Sequence, residues 1–354
     1  MTRTTRWTTA ALATAVATAL LFASGCSGDD DSASGDTSAA TPSTTTSTIE
    51  EGAEEGAEEV AEEGASGSFT LLSYNVAGLP AEISSVDPAE HLPLISPLLN
   101  DYDIVATQED FDWWGPLAAN FDFVNYHDRL RADATHEFRT EQHPGPEAVG
   151  LDLAARMEPF IGDGLGVLSR LPIANTRRVP WDGCFGGLDT SDGGAADCAA
   201  MKGFLMTEVT LPSGDLVHLY DLHGEAGGSP TDQDLQVADY RQLATFIAEH
   251  STDAAVIVAG DTNLHTYSDH EDASDGADTR IWEEFLASTG LTDSCDATSC
   301  AERDQIDKVA VRSGATVELR VESHRFVSDR FVDAAGEPLS DHPPLSVRIG
   351  WKIR

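Results

Sequence analysis

Several apolar stretches of this chain end or begin on residues that can move protons or bind charge. Ser73-Tyr74-Asn75 closes one, Gln108-Glu109-Asp110 follows another, and Asp221-Leu222-His223 ends a third. Val256-Ile257-Val258-Ala259 leads into Gly260-Asp261-Thr262-Asn263; Asp304-Gln305-Ile306-Asp307 opens a further stretch, and Ser340-Asp341-His342-Pro343-Pro344 opens the last one. A single Asn or Asp at such a place is ordinarily a turn former, because its side chain bonds to nearby backbone. Six ends that together supply carboxylates, side-chain amides and two imidazoles read instead as parts of one site. In the last, two prolines fix φ and stiffen the backbone beside an acid–imidazole pair. Such a pair can take up and return protons.

These residues need strands to bring them together. Runs of strand length occur at Phe69 to Tyr74, Ile104 to Thr107, Phe121 to Tyr126, Gly166 to Leu168, Phe204 to Leu211, Leu216 to Leu222, Ala255 to Ala259, Ile306 to Val311, Val317 to Val321 and Leu345 to Ile353. Thr231 to His250 reads as a helix, with Ser229-Pro230 as its start and Leu243, Phe246 and Ile247 at helical spacing; Pro88 to Leu99 and Thr279 to Ser288 read as two more. Many strands with few crossover helices point to two packed sheets flanked by helices rather than a βα barrel. No internal repeat is evident.

The 354 residues hold 61 acids and 21 bases, a net charge of −40. Residues 27–67 carry twelve acids and no base in a Ser/Thr/Gly/Ala/Glu-rich sequence that cannot bury a core, and read as an extended linker. Residues 68–354, about 287 in number, form the expected folded domain, near the upper size for one core. They carry 49 acids and 19 bases, a surface that repels nucleic acid unless a metal or a basic cluster reverses the field. Arg177-Arg178 is the only adjacent basic pair there, and it is no basic patch.

Arg3 and Arg6, an apolar run from Thr8 to Phe22 and small residues before Cys26 make residues 1–26 an export signal. Small residues directly before a cysteine resemble a bacterial lipoprotein signal, although Ala23 stands where Leu is usual. The expectation is an extracytoplasmic protein, tethered to the membrane through a lipid on Cys26 or secreted. Cys184, Cys198, Cys295 and Cys300 remain, an even set in an oxidising compartment. Of three pairings, the two short loops 184–198 and 295–300 are the most economical. A zinc site is the weaker reading, since neither pair has C-x-x-C spacing.

The ordered series of Ser73-Tyr74-Asn75, Gln108-Glu109, Gly166 to Ile173, His223, Gly260 to Asn263, Ile306-Asp307 and Ser340-Asp341-His342 resembles the endonuclease/exonuclease/phosphatase superfamily. Within it, Asp197 to Phe204, with Cys198 and Lys202-Gly203-Phe204, is similar to secreted neutral sphingomyelinases. The resemblance implies a DNase I-like, four-layer α/β sandwich of two mixed sheets over about 68–354, and a monomer hydrolysing a phosphodiester. It implies Glu109 as the prime Mg²⁺ ligand, with Mn²⁺ or Ca²⁺ as alternatives, supported by Asn75 and with Asp341 in the metal region. His342 becomes the general base, oriented by Asp307. Asp261 and Asn263, two apart, would face one way if the strand persists, and hold the attacking water and a phosphoryl oxygen. His223 takes the cationic or proton-donating place. His218 and His265 have no motif role.

The favoured substrate is a sphingomyelin-like phospholipid. An extracellular endonuclease, an inositol phosphate phosphatase and a non-catalytic surface binding protein are the alternatives, the first two of which would want clustered Lys or Arg. Trp113 and Trp114, close after Glu109, read either as substrate or lipid contacts or as core. The long segment His127 to Asp163 matches nothing in the series and is expected to set substrate choice.

Overall fold

A computed structural model describes residues 64–81, 84–116, 118, 122–154, 156–187, 196–268 and 276–354. The expected export signal, Cys26 and all but the end of the expected linker lie outside the described residues. Where the linker was expected to run to residue 67, backbone pairing already begins at Ser66.

Among the described residues, twelve strands form two six-stranded sheets. The first runs in the order β11 (Val317–Phe326), β12 (Leu345–Ile353), β1 (Ser66–Asn75), β2 (Ile104–Gln108), β4 (Gly166–Ser169), β3 (Phe138–Arg139). The second runs β5 (Ile173–Pro180), β6 (Gly203–Thr210), β7 (Leu216–His223), β8 (Ala255–Asp261), β10 (Asp307–Arg312), β9 (Thr292–Asp293). Both are mixed: β1 is parallel to β2 and β7 to β8, while the remaining neighbours are antiparallel.

Side-chain alternation decides how the layers stack. Leu71, Ile104 and Val347 from the first sheet meet Leu205, Leu219, Ile257 and Val309 from the second in one buried cluster between the sheets. On the far side of the first sheet, Leu72, Tyr74 and Val105 pack with Leu92, Ile95 and Leu99, the apolar face of helix α1 (Pro88–Leu98) and the turn after it. Behind the second sheet, Tyr220, Leu222 and Val258 pack with Leu243 and Ile247 of α3 (Pro230–His250) and Ile281, Trp282 and Phe285 of α4 (Ala277–Thr289). The result is helix, sheet, sheet, helix, the expected four-layer α/β sandwich.

The stretch expected as a strand at 121–126 is helical over its described part: a 3₁₀ turn at Asp122–Asn125 leads into α2 (Tyr126–Arg131). Phe123, Tyr126 and Leu130 are all buried at helical spacing, and that periodicity prevails over the local β propensity of Phe-Val-Asn-Tyr. A short α5 (Ser294–Thr298) also forms between β9 and β10. Disulfides join Cys184 to Cys198 and Cys295 to Cys300, the economical pairing, which removes all four thiols from the zinc reading.

Candidate active site

The chain passes twice through one pattern. Strand β1, helix α1 and parallel strand β2 form one crossover unit; β7, α3 and β8 form another. The carboxyl ends of such parallel strands are where open α/β sheets gather ligands. Here β1 ends on Asn75 and β7 on His223, Glu109 lies one residue past β2, and β8 ends on Asp261. Strand β10 runs antiparallel to β8 and begins on Asp307, in register with Asp261. Glycine is required at the turn into Asp261: Gly260 has φ +144°, and a Cβ there would collide with the Leu222 carbonyl of β7.

The side chains converge across the rim of the two sheets. Asn75 Nδ2 lies 3.1 Å from Glu109 Oε1, 3.1 Å from Asp261 Oδ2 and 3.4 Å from His342 Nε2. Asn75 is held in turn: its Oδ1 accepts from the Ala77 amide at 3.0 Å and its carbonyl accepts from Ser340 Oγ at 2.7 Å. That Ser340 hydroxyl also accepts from the His342 amide at 3.1 Å, which ties the Ser-Asp-His turn to the end of β1. The ring Nδ1 of His342 lies 2.9 Å from Asp307 Oδ2, and its Nε2 lies 3.7 Å from Asp261 Oδ2. His223 Nε2 reaches the same Asp261 oxygen at 3.4 Å.

Charge is distributed unevenly among these groups. Burial opposes an imidazolium at His342, but the Asp261 and Asp307 carboxylates outweigh it and push the ring up to about 10. Asp261 is held below the usual carboxylate range against its own burial, by His342, His223 and Lys202. His223 goes the other way. Burial and the Lys202 ammonium push it down to about 3, so the ring is neutral and offers one N–H rather than a charge. Burial raises Glu109 to about 7, with the Asn75 hydrogen bond and the His342 and Lys202 charges acting against it.

Not every expected residue joins the cluster. The strand does not persist past Asp261: Asn263 has φ +50°, its Nδ2 donates to the Gly224 carbonyl at 3.1 Å, and its amide caps Asp261 Oδ1 at 3.0 Å. Asn263 therefore fastens the loop after His223 to the loop after β8. Asp341 is exposed; one carboxylate oxygen accepts from Ser85 Oγ at 2.6 Å and the other lies 3.5 Å from the Ser340 Oγ that bonds the His342 amide. Trp113 packs on Gly145 and beside His143, and Trp114 bridges to Ile161 and packs into the α1-side core; both are half-buried. His218 bonds Ser251 Oγ at 2.7 Å on the far side of β7.

Lys202 is the cation whose place the sequence did not disclose. It pairs with buried Asp197, donates to the Gly224 carbonyl at 3.2 Å, and its positive charge acts to lower Glu109, His223 and Asp261 alike. The Cys184–Cys198 bridge sits one residue from Asp197. The signal was present in the Asp197 to Phe204 segment, but only the fold shows which way the lysine reaches.

Two carboxylate groupings could take a metal ion. Asp261, Asp307 and His342 each offer an atom within 4.8 Å of the others. Asp307 and His342, however, are already bonded to each other around a held proton, which a cation would have to displace. Glu109 accepts from a neutral amide, and burial strains its charge, so a hard divalent ion fits it better. Glu109, with Asp261 across from it, supplies carboxylate oxygens suited to a hard divalent cation, and Asn75, whose Nδ2 faces both, orients them.

Comparison with known proteins agrees with this geometry. The chain is 31% identical over 301 residues to a sphingomyelinase of Mycobacterium tuberculosis (strain ATCC 25618 / H37Rv), an alignment that takes in 80% of this chain and 52% of that protein. It thus spans about half the length of the curated relatives it matches. Sphingomyelinase C from Streptomyces griseocarneus superposes with a TM-score of 0.53 at 19% identity, covering 80% of this chain and 99% of that one. Beta toxin from Staphylococcus aureus, in a mutant form with bound magnesium ions, gives a TM-score of 0.52 at 16% identity over 79% and 99%. The Endonuclease/Exonuclease/phosphatase family model matches residues 72–342, from β1 to the site histidine, and the chain belongs to that family.

Proposed function

We propose that this chain is an exported, Mg²⁺-dependent phosphodiesterase whose substrate is a sphingomyelin-like phospholipid. The observation that carries the reading is the convergence of Asn75, Glu109, Asp261 and the Asp307–His342 pair on one rim. Relatedness to a sphingomyelinase at 31% identity favours the lipid over other phosphodiesters. Export, and a lipid on Cys26, rest on the N-terminal sequence alone.

Phosphodiester hydrolysis needs neutralised phosphoryl oxygens, an activated water and a stabilised leaving oxygen. Mg²⁺, when bound, would supply Lewis-acid neutralisation of phosphoryl charge, and Glu109, oriented by the Asn75 Nδ2, is the residue that would hold it. Asp307 fixes the ring of His342 through Nδ1, leaving Nε2 facing Asp261 and the cleft. The Asp261 and Asp307 charges favour the protonated ring. In this reading His342, from its deprotonated form, takes the proton of a water that Asp261 orients, with Nε2 as the acceptor. In this reading the neutral His223, beside Asp261, donates its N–H to a phosphoryl oxygen.

Purified protein should hydrolyse sphingomyelin with Mg²⁺ and lose at least about 10²-fold in rate with EDTA, which removes the cation's charge stabilisation. Phosphatidylcholine, plasmid DNA and inositol phosphates serve as the competing substrates. Cleavage of DNA alone would overturn the lipid reading, and full activity in EDTA the metal reading.

A further inference from the structure

The segment His127 to Asp163 has no place in the ordered series of site residues, yet the structure ties it to the residues that directly follow Glu109. Glu109 itself stands in the left-handed region, φ +55°, a conformation that a non-glycine residue keeps only when its surroundings enforce it. The enforcement comes from its neighbours in sequence. Asp110 is buried, and its carboxylate accepts from Thr107 Oγ1 at 2.9 Å, pairs with His127 Nδ1 at 2.9 Å and forms an ion pair with Arg131. Its amide donates to the Gly164 carbonyl at 2.9 Å. Gly164 lies so close that a Cβ there would come within 3.0 Å of the Glu109 Cα.

The same segment grips the next turn. Asp112, also buried, accepts from the His143 amide at 3.0 Å, and its carbonyl accepts from Gln142 Nε2 at 2.6 Å. Gly162 donates to the Trp113 carbonyl at 2.9 Å, and Gly115 donates to the Phe160 carbonyl at 2.8 Å. On its other edge the segment meets the strip that carries Lys202: Phe160 N donates to the Ala199 carbonyl at 2.7 Å, and Arg156 Nη2 donates to the Ala200 carbonyl at 2.9 Å. A side chain two bonds off the ideal ligand position loses metal affinity steeply, so residues that fix a ligand's backbone act on the metal without touching it.

We infer that segment 127–163 is a brace that sets the Glu109 carboxylate for its cation, with Arg131 and His127 as positioning residues acting through Asp110. The inference rests on the reading of Glu109 as the metal ligand. A carboxylate tied by Arg131, His127 and Thr107 cannot rotate, and the peptide joining it to Glu109 is fixed with it. Substrate choice, assigned to this segment on sequence grounds, is then secondary to holding the metal ligand.

The test measures Mn²⁺ binding directly, by calorimetry or electron paramagnetic resonance, beside the Mg²⁺ concentration for half-maximal hydrolysis. Arg131→Met leaves Asp110 buried without its cation and is the sharper variant. Asp110→Asn combined with Arg131→Met removes both charges and spares the fold if the single change does not. Both should weaken Mn²⁺ binding about tenfold and raise the Mg²⁺ requirement by the same factor, the lower end of what lost outer partners cost a metal site. Arg131→Lys, a point charge in place of the fork, should recover part of the loss. Ile281→Ala, a core truncation in α4 remote from Glu109, should lower the melting temperature and leave Mn²⁺ affinity unaltered. Unchanged Mn²⁺ affinity in a folded Asp110/Arg131 variant overturns the brace, as does an equal loss in Ile281→Ala. Failure of the unaltered protein to bind Mn²⁺ or Mg²⁺ at all overturns the metal reading itself, and the brace with it.

Discussion

At the scale of single residues, the site turns on where one proton sits. His342 is flanked by Asp307 at 2.9 Å and by Asp261 at 3.7 Å, and the two carboxylates push the ring up to about 10 against its burial. Asp261→Asn should therefore bring the ring down by about 1–3 units, the usual effect of removing one opposite charge at this distance, read by NMR titration of the His342 ring in EDTA. Asp307→Asn keeps the shape but removes the charge that fixes the tautomer, since the amide NH2 can bond the opposite one, and should cost about 10²–10⁴-fold in kcat with little change in KM. The raised ring also sets a pH dependence. A histidine whose folded pKa lies above its unfolded value of about 6.5 contributes stability that is full below that pH and is lost as pH rises through about 10. Urea unfolding of the metal-free protein should show that decline between roughly pH 6.5 and 10, and His342→Asn should flatten it.

At the scale of elements, α3 shows how much local sequence settles. Ser229 Oγ accepts from the Asp232 amide at 3.2 Å while Asp232 Oδ2 accepts from the Ser229 amide at 3.0 Å, a reciprocal cap with Pro230 at the first helical position. Ser229→Ala should cost about 1 kcal/mol in chemical denaturation, with activity unaltered because the cap lies at the outer helix layer. That helix, the runs that became β1, β2 and β7, and the polar ends Asn75, Asp261, Asp307 and His342 were legible because period and punctuation agree there. The edge strand β5 was not, since Ile173–Pro180 is largely exposed or half-buried and carries Asn175, Thr176, Arg177 and Arg178 instead of an apolar run. Nor was the two-residue β3, which exists only through pairing with β4. Asn263 and Asp341 have partners of their own for a backbone reason. A left-handed Asn263 turns its amide to the Gly224 carbonyl, and the turn at Asp341 sends its carboxylate to Ser85. Lys202 was missed because sequence shows a lysine entering a strand and cannot show that it reaches across to Glu109, His223 and Asp261.

At the scale of the whole molecule, the governing quantity is the charge. The chain carries −40 in all, and its folded part holds 49 acids to 19 bases. Several of those cations are occupied internally: Arg178 pairs with Asp163, Arg131 with Asp110 and Lys202 with Asp197. Each pair takes one acid out of the surface with one base, so the surface left to meet a substrate keeps the excess of acids. Such a field slows encounter with polyanions and leaves a zwitterionic headgroup nearly untouched, which weighs against the nuclease reading independently of the site. The same field makes a prediction about membranes. Sphingomyelin in vesicles with about a third anionic lipid presents a surface potential of roughly −30 to −50 mV. At low ionic strength, hydrolysis there should run several-fold slower than in purely zwitterionic vesicles. Salt at about 0.1 M shortens the Debye length to about 10 Å and should close most of that gap. The measurement compares initial rates on the two vesicle types across a salt series at fixed Mg²⁺. Equal rates at low salt would mean that the approaching face is locally neutral despite the net charge. A rate faster on the anionic vesicles would mean that it is basic, and would return the polyanionic substrates to contention.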